Sequence, residues 1–192
     1  MKIYDLPYDF NSIPPLSEET MKYHYNILYK GYVNNYNLTL ENLAKARENN
    51  DYTNIKCLEK NLSFYGAGAY LHQLFFENIT PKQTVMSDKL KQKIIKNFGN
   101  IENFYNQFIN NIVNIEGPGW GLLGYSKELD KLMILQAENH QKQTIWDFKV
   151  ILAIDMWEHA YYLDYKTDKK EYVTKLFEYI NWDIIEKRLL IK

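Results

Sequence analysis

Four histidines are the only imidazoles in this chain of 192 residues, so their placement bounds the chemistry it can support. His24 and His72 fall on the apolar stripes of two long helical patterns. His159 closes Asp155-Met156-Trp157-Glu158-His159, four residues after an aspartate, and His140 ends Glu138-Asn139-His140, just after a strand pattern. Imidazole is a common metal ligand, and a carboxylate buried in apolar surroundings needs a partner or a metal. An antiparallel helix pair can set His24 opposite His72, with Asp155 and His159 approaching from the side of a sheet. Three nitrogens and one oxygen, with room for solvent or substrate, suit iron or manganese redox chemistry better than a soft-ligand copper site. A plainer reading stands beside this one. A lone histidine on an apolar helix face is more often a hydrogen-bonded core residue, and Asp155 with His159 reads equally well as a simple hydrogen-bonded pair.

Competing chemistries lack their residues. The chain has no H-E-x-x-H, no G-x-S-x-G and no P-loop, and the missing Glu-x-x-His argues against a ferritin-like di-iron bundle. One cysteine, Cys57, excludes a disulfide framework, a Cys-rich zinc site and a thiolate-held iron–sulfur cluster. Without a neighbouring histidine or basic cluster, Cys57 reads as inert. A net charge of -1 disfavours a polyanion binder. No apolar run approaches the roughly 18 residues that span a bilayer. The opening MKIYDLPYDFNSIPPL has no apolar h-region or cleavage site. A cytoplasmic protein without nucleic-acid or membrane partners is the expectation.

The elements that must position these residues follow from periodicity. Pro7, Pro14 and Pro15 make residues 1–16 an extended arm. Ser17 is a good N-cap for a helix over 18–48, with Met21, His24, Leu28, Tyr32 and Tyr36 on one stripe. Asn49-Asn50-Asp51 signals a turn. A second helix over 53–77 carries Ile55, Leu58, Leu62, Tyr65, Ala69, His72 and Phe76, and its Gly66-Ala67-Gly68-Ala69 stretch permits close backbone approach. After the break at Thr80-Pro81, helices are expected from Ser87 to Phe98 and over 101–113, then strands over 120–125, 131–136 and 150–155. One or two tail helices follow, near 169–180 and 183–190. The class is α+β: an N-terminal antiparallel long-helix hairpin, then an α/β region with a short three-stranded antiparallel sheet. The expected division is residues 1–80 and 81–192, with the metal site between them. The 17 Tyr, 9 Phe and 4 Trp supply bulk for a dense core.

The segment DMWEHAYYLDY, residues 155–165, resembles the signature D-x-W-E-H-A-[YF]-Y of the iron/manganese superoxide dismutase family. Further stretches are similar to family segments: LPYDFNSIPPLSEETMKYHYN in the arm and first helix, HQLFF at 72–76, GPGWGLL at 117–123 and YINWDIIEKRL at 179–189. The resemblance covers nearly the whole chain. It implies dismutation of superoxide to dioxygen and hydrogen peroxide in a ping-pong cycle. It implies one ion per subunit, iron in preference to manganese or either, held by His24, His72, Asp155 and His159. Tyr32 matches the active-site tyrosine, and His140 stands where many manganese members carry a glutamine. Trp120, Trp157 and Phe76 match residues walling the metal. Glu158 and Tyr162 match residues reaching across a dimer, Glu158 to the partner subunit's His159, which implies a homodimer or homotetramer.

The chain also departs from that pattern. Leu28 replaces a gateway histidine that Tyr162 would bond across the dimer, and Tyr29 replaces the histidine that often follows it. Leu122 replaces a second tryptophan, and Thr167 a common asparagine. Two readings from other classes follow: a non-catalytic metal-binding relative, and a mononuclear non-haem iron enzyme of another reaction class. Lys30, Lys166 and Lys169 are candidates for steering an anionic substrate, and read equally as solvated lysines.

Overall fold

A computed structural model of the chain describes residues 1–142 and 145–190. The first long rod starts where the sequence places it. Ser17 is extended, and its hydroxyl accepts from the Thr20 amide to cap α1 (Glu18–Lys22). The rod is not one α-helix. It passes through a π-helical stretch, Tyr23–Tyr29, before α2 (Lys30–Glu48), and the Lys30 amide reaches back five residues to the Tyr25 carbonyl. The wider turn buries His24, Tyr25 and Tyr29 together, and the two tyrosines clamp the N-terminal arm. The Tyr25 hydroxyl donates to the Tyr4 carbonyl at 2.5 Å, and the Tyr29 hydroxyl accepts from the Tyr4 amide at 2.8 Å. Periodicity alone misses this insertion, because the buried residues Met21, Tyr25, Tyr29 and Val33 recur every four residues, a step that an ordinary amphipathic helix also shows.

After the turn, α3 (Ile55–Asn78) returns antiparallel to α2: Tyr32 lies against Gly68 and Tyr36 against Gly66. The two glycines admit tyrosine rings rather than backbone, since a Cβ on Gly68 would sit 2.7 Å from a Tyr32 ring carbon. Next come α4 (Asp88–Phe98), capped by Ser87 and ended by Gly99 at φ +87°, and α5 (Ile101–Val113), capped by Asn100. Strands β1 (Gly119–Ser126), β2 (Lys131–Glu138) and β3 (Lys149–Asp155) form an antiparallel sheet ordered β2-β1-β3. The hairpin turn closes between Ser126 and Lys131.

The tail differs from expectation. Beyond α7 (Lys169–Phe177) and α8 (Trp182–Leu190), a further helix, α6 (Glu158–Tyr165), follows β3 directly. The helical period fails to announce it because it is two turns long and its residues Tyr162, Leu163 and Asp164 are exposed.

The halves are tied at the open end of the hairpin, opposite its turn, where the start of α1 and the end of α3 both lie. Asp164 accepts from the Ser17 amide at 3.0 Å, and the Tyr165 hydroxyl donates to the Pro15 carbonyl at 2.5 Å. Beside the last turn of α3 the Thr80 amide donates to the Tyr179 carbonyl and the Asn181 amide to the Asn78 carbonyl. In the core, β1 packs so tightly on α5 that a Cβ at Gly121 would lie 1.9 Å from Ile112 Cγ2. Gly121→Ala is therefore expected to destabilise the metal-free protein by about 1–3 kcal/mol in urea unfolding, the usual cost of an overpacked site.

Candidate metal centre

Three elements converge on one carboxylate. His24 comes from the π-helical stretch, His72 from α3, Asp155 from the last residue of β3 and His159 from the first turn of α6. Their ligand atoms all lie within 4.8 Å of one another. Asp155 Oδ2 is the focus, 3.1 Å from His24 Nε2, 3.1 Å from His159 Nε2 and 3.6 Å from His72 Nε2. Its other oxygen accepts from the Trp157 amide at 2.9 Å, which fixes the carboxylate plane. Asp155, His24 and His72 have no solvent exposure.

This donor set fits a cation. His72 Nδ1 is 2.7 Å from the Gly68 carbonyl, which can only accept, so Nδ1 carries the proton. Burial holds His72 well below the usual imidazole range, with Asp155 opposing, so the ring is neutral. Its Nε2 is then a bare lone pair, without a hydrogen-bond partner, facing a carboxylate oxygen. Two acceptors aimed at each other in a dry interior repel unless positive charge lies between them. Burial raises the Asp155 carboxyl, but His159 and His24 outweigh it and hold Asp155 below the usual carboxylate range. Three imidazole nitrogens and one carboxylate oxygen are donors for iron, manganese or zinc; no soft thiolate is present.

Aromatic rings wall the cluster, and of its four ligands only His159 keeps some exposure. Trp120 lies 5.0 Å from the His72 ring, Phe76 5.1 Å from His24 and Trp157 5.6 Å from His159. His140 arrives through the turn after β2, where Asn139 takes φ +52° and donates its amide to Pro118. The His140 ring stacks on Trp157 at 4.6 Å.

A directed hydrogen-bond chain follows. Trp120 Nε1–H donates to His140 Nδ1 at 2.9 Å, and an indole can only donate, so Nδ1 is unprotonated. Burial draws His140 down to about 4, so at neutral pH its single proton is on Nε2, donated to the Tyr32 hydroxyl at 2.9 Å. Tyr32 then keeps its own hydrogen to donate elsewhere. Burial, with the charge of Asp155, pushes the Tyr32 phenol up to about 12 and keeps it protonated.

The remaining sequence candidates lie outside the cluster. Glu158 and Tyr162 are exposed on α6, and Leu28 is half-buried. Lys30 bonds Asn26, Lys166 the Leu163 carbonyl and Lys169 the Ile115 carbonyl. Lys169 lines a cavity of about 480 Å³ shared with Trp157, Glu158 and His159. Phe64, whose ring lies 4.9 Å from His140, is absent from the sequence reading because one aromatic on a helix carries no distinguishing signal.

The chain's polarity is measurable without metal. In 15N-histidine NMR of the metal-free protein, His140 is expected as the Nε2–H tautomer, staying uncharged down to about pH 4. Its unfolded-state value is about 6.5, so unfolded chains bind the extra proton in that window. This group's contribution to stability therefore falls as pH drops from about 6.5 toward 4 and levels off below. Trp120→Phe should give a tautomer mixture; an Nδ1–H tautomer in the unsubstituted protein overturns the assignment.

Comparison with known proteins points the same way. Residues 1–80 match the alpha-hairpin domain of iron/manganese superoxide dismutases, and residues 86–188 match the C-terminal domain of the same family. The chain is 39% identical over 188 residues to an iron superoxide dismutase of Pyrobaculum aerophilum, covering 96% of this chain and 89% of that one. It is 34% identical over 195 residues to a manganese superoxide dismutase of Chlamydia muridarum, covering 98% and 95%. It is 35% identical over 188 residues to a superoxide dismutase of Aeropyrum pernix named for both metals, covering 96% and 88%. With both domains matched in order, and with the buried three-histidine, one-aspartate cluster set among their elements, the chain belongs to the iron/manganese superoxide dismutase family.

Proposed function

We propose that the protein is a superoxide dismutase, converting two superoxide ions and two protons to dioxygen and hydrogen peroxide with one iron or manganese ion per subunit. The observation that carries this reading is the His72 lone pair facing Asp155 inside a buried cluster of four ligand atoms. His24, His72, Asp155 and His159 would hold the ion. When bound, it supplies one-electron redox chemistry between its trivalent and divalent states. Relatives named for iron, for manganese and for both support either metal. The Glu-Asn-His140 form resembles a subset of archaeal and actinobacterial members and favours iron.

The surrounding residues do the rest. Trp120, Phe76 and Trp157 exclude bulk water and hold the histidine rings in place. Tyr32, protonated and bonded by His140, keeps a hydroxyl hydrogen free to donate, which would orient solvent or an anionic substrate and relay protons. The Gly68 carbonyl fixes the His72 tautomer, as outer partners of metal-binding histidines generally do.

Glu158 and Tyr162, exposed one turn apart on α6, support a homodimer in which Glu158 reaches the partner subunit's His159; a homotetramer would be built from such pairs. We further assign residues 1–80 and 81–192 to two domains with the ion between them. A cytoplasmic location and the absence of nucleic-acid and membrane partners belong to the same reading. Among the described residues no helix is long and apolar enough to cross a membrane.

The test is superoxide consumption by protein purified with iron or with manganese, alongside metal analysis. Catalysis near the diffusional limit, about 10⁸–10⁹ M⁻¹s⁻¹, is expected. It should vanish on metal removal and return with one ion per subunit. Full metal occupancy without superoxide consumption overturns the reading. Restoring a histidine in Leu28→His is expected to move the pH profile of turnover; an unchanged rate and profile would remove residue 28 from substrate or proton access.

A further inference from the structure

Asp155 sits at the end of an edge strand. Among the described residues β3 pairs with β1 on one side only, so the carbonyls of Ile151, Ala153 and Asp155, at alternate positions, face away from the sheet. Met156, one residue out of phase with them, bonds inward to the Gly119 carbonyl. An edge strand with free acceptors at a buried position would leave them unsatisfied. Here each is taken by a side chain from a different helix. Arg188 of α8 donates Nη1–H to Ile151 at 2.8 Å, Asn78 of α3 donates Nδ2–H to Ala153 at 3.0 Å, and the Tyr172 hydroxyl of α7 donates to Asp155 at 3.0 Å.

The first two of these are coupled. Arg188 Nη1 also donates to Asn78 Oδ1, and Nη2 donates to Glu77, so one guanidinium spans the strand edge and the last turn of α3. Asn78 has no solvent exposure and Arg188 is 7% exposed. The Asn78 amide is thus used on both sides, holding β3 with its nitrogen and Arg188 with its oxygen. His72 lies six residues before Asn78 on the same helix, and Asp155 two residues after Ala153 on the same strand.

We infer that Arg188, acting through Asn78, is a positioning residue of the metal centre: its fork sets how far α3 slides along β3, and so the spacing of His72 and Asp155. The planar guanidinium bonds a carbonyl, an amide oxygen and a carboxylate from one position, with its N–H groups held in a fixed fork. A lysine carries the charge without the fork. This inference rests on the proposed ligand roles of His72 and Asp155.

The experiment uses the full-length iron-loaded protein. Arg188→Lys, and the charge-balanced pair Glu77→Gln with Arg188→Met, are compared with Ile94→Val, a core change in α4. The readouts are melting of the metal-free form, the ferric electron paramagnetic resonance spectrum and the rate of iron loss to a chelator. Both clasp variants are expected to shift the ferric spectrum and to lose iron about 10-fold faster or more, the scale seen for partners behind metal ligands. Ile94→Val should lower the melting temperature with spectrum and iron retention unchanged. Clasp variants that melt lower yet keep the original spectrum and iron-loss rate would show a merely structural role and overturn the inference. Failure of the unsubstituted protein to bind either iron or manganese would instead overturn the proposed function.

Discussion

The constraint on which this structure turns is a single buried carboxylate. Asp155 is fully shielded from water, ionised, and met at one oxygen by imidazoles from three separate elements. An isolated charge in such a place is prohibitively unfavourable, and removing one partner of a buried polar cluster leaves the others unsatisfied. The chain therefore brings the π-helical stretch, α3 and the β3–α6 junction to one point and holds them there. The aromatic content serves this end. Rings of Trp120, Phe76, Trp157 and Phe75 pack around the histidines, and with Asp155 fully buried the electrostatics at the carboxylate are strong.

Around that centre, the polar contacts have direction. A donor-only indole, a histidine with one proton and a phenol pushed to high pKa form a chain whose free hydrogen ends at Tyr32. Gly68 belongs to the same arrangement twice over: its carbonyl holds His72, and its missing Cβ leaves room for the Tyr32 ring. A side chain there would displace Tyr32, while β2 and its turn deliver His140 from the other side.

Long-range contacts make the cluster rigid. The start of α1 is bonded to Asp164 and Tyr165 beyond His159, and the end of α3 is bonded to the outer edge of β3 through Asn78 and Arg188. The residues so joined are far apart in sequence, 147 positions for Ser17 and Asp164, and they belong to the two halves of the chain. Each tie ends near a histidine or aspartate of the cluster, so domain packing and site geometry are one problem here.

Much of this is legible in the chain. Helical period, the Ser17, Ser87 and Gly99 caps, and the polar turn of the hairpin are local signals set by neighbours within a few residues, and the hairpin and sheet follow from them. The scarcity of histidine narrows the candidate cluster to few combinations, and the D-x-W-E-H run singles out one. What no local signal contains is the π-helical insertion, the left-handed Asn139, the Phe64 contact and the Arg188–Asn78 clasp. The contacts that go with them join residues far apart in sequence, 21 positions for Tyr25 and Tyr4 and 110 for Arg188 and Asn78, chosen by packing. Arg188 shows the difference: in the sequence it is one more basic residue at a helix end, where a charge suits the dipole. Only the tertiary fold buries it against a strand edge with open carbonyls, and that burial turns a surface-type residue into a fixed element of the core.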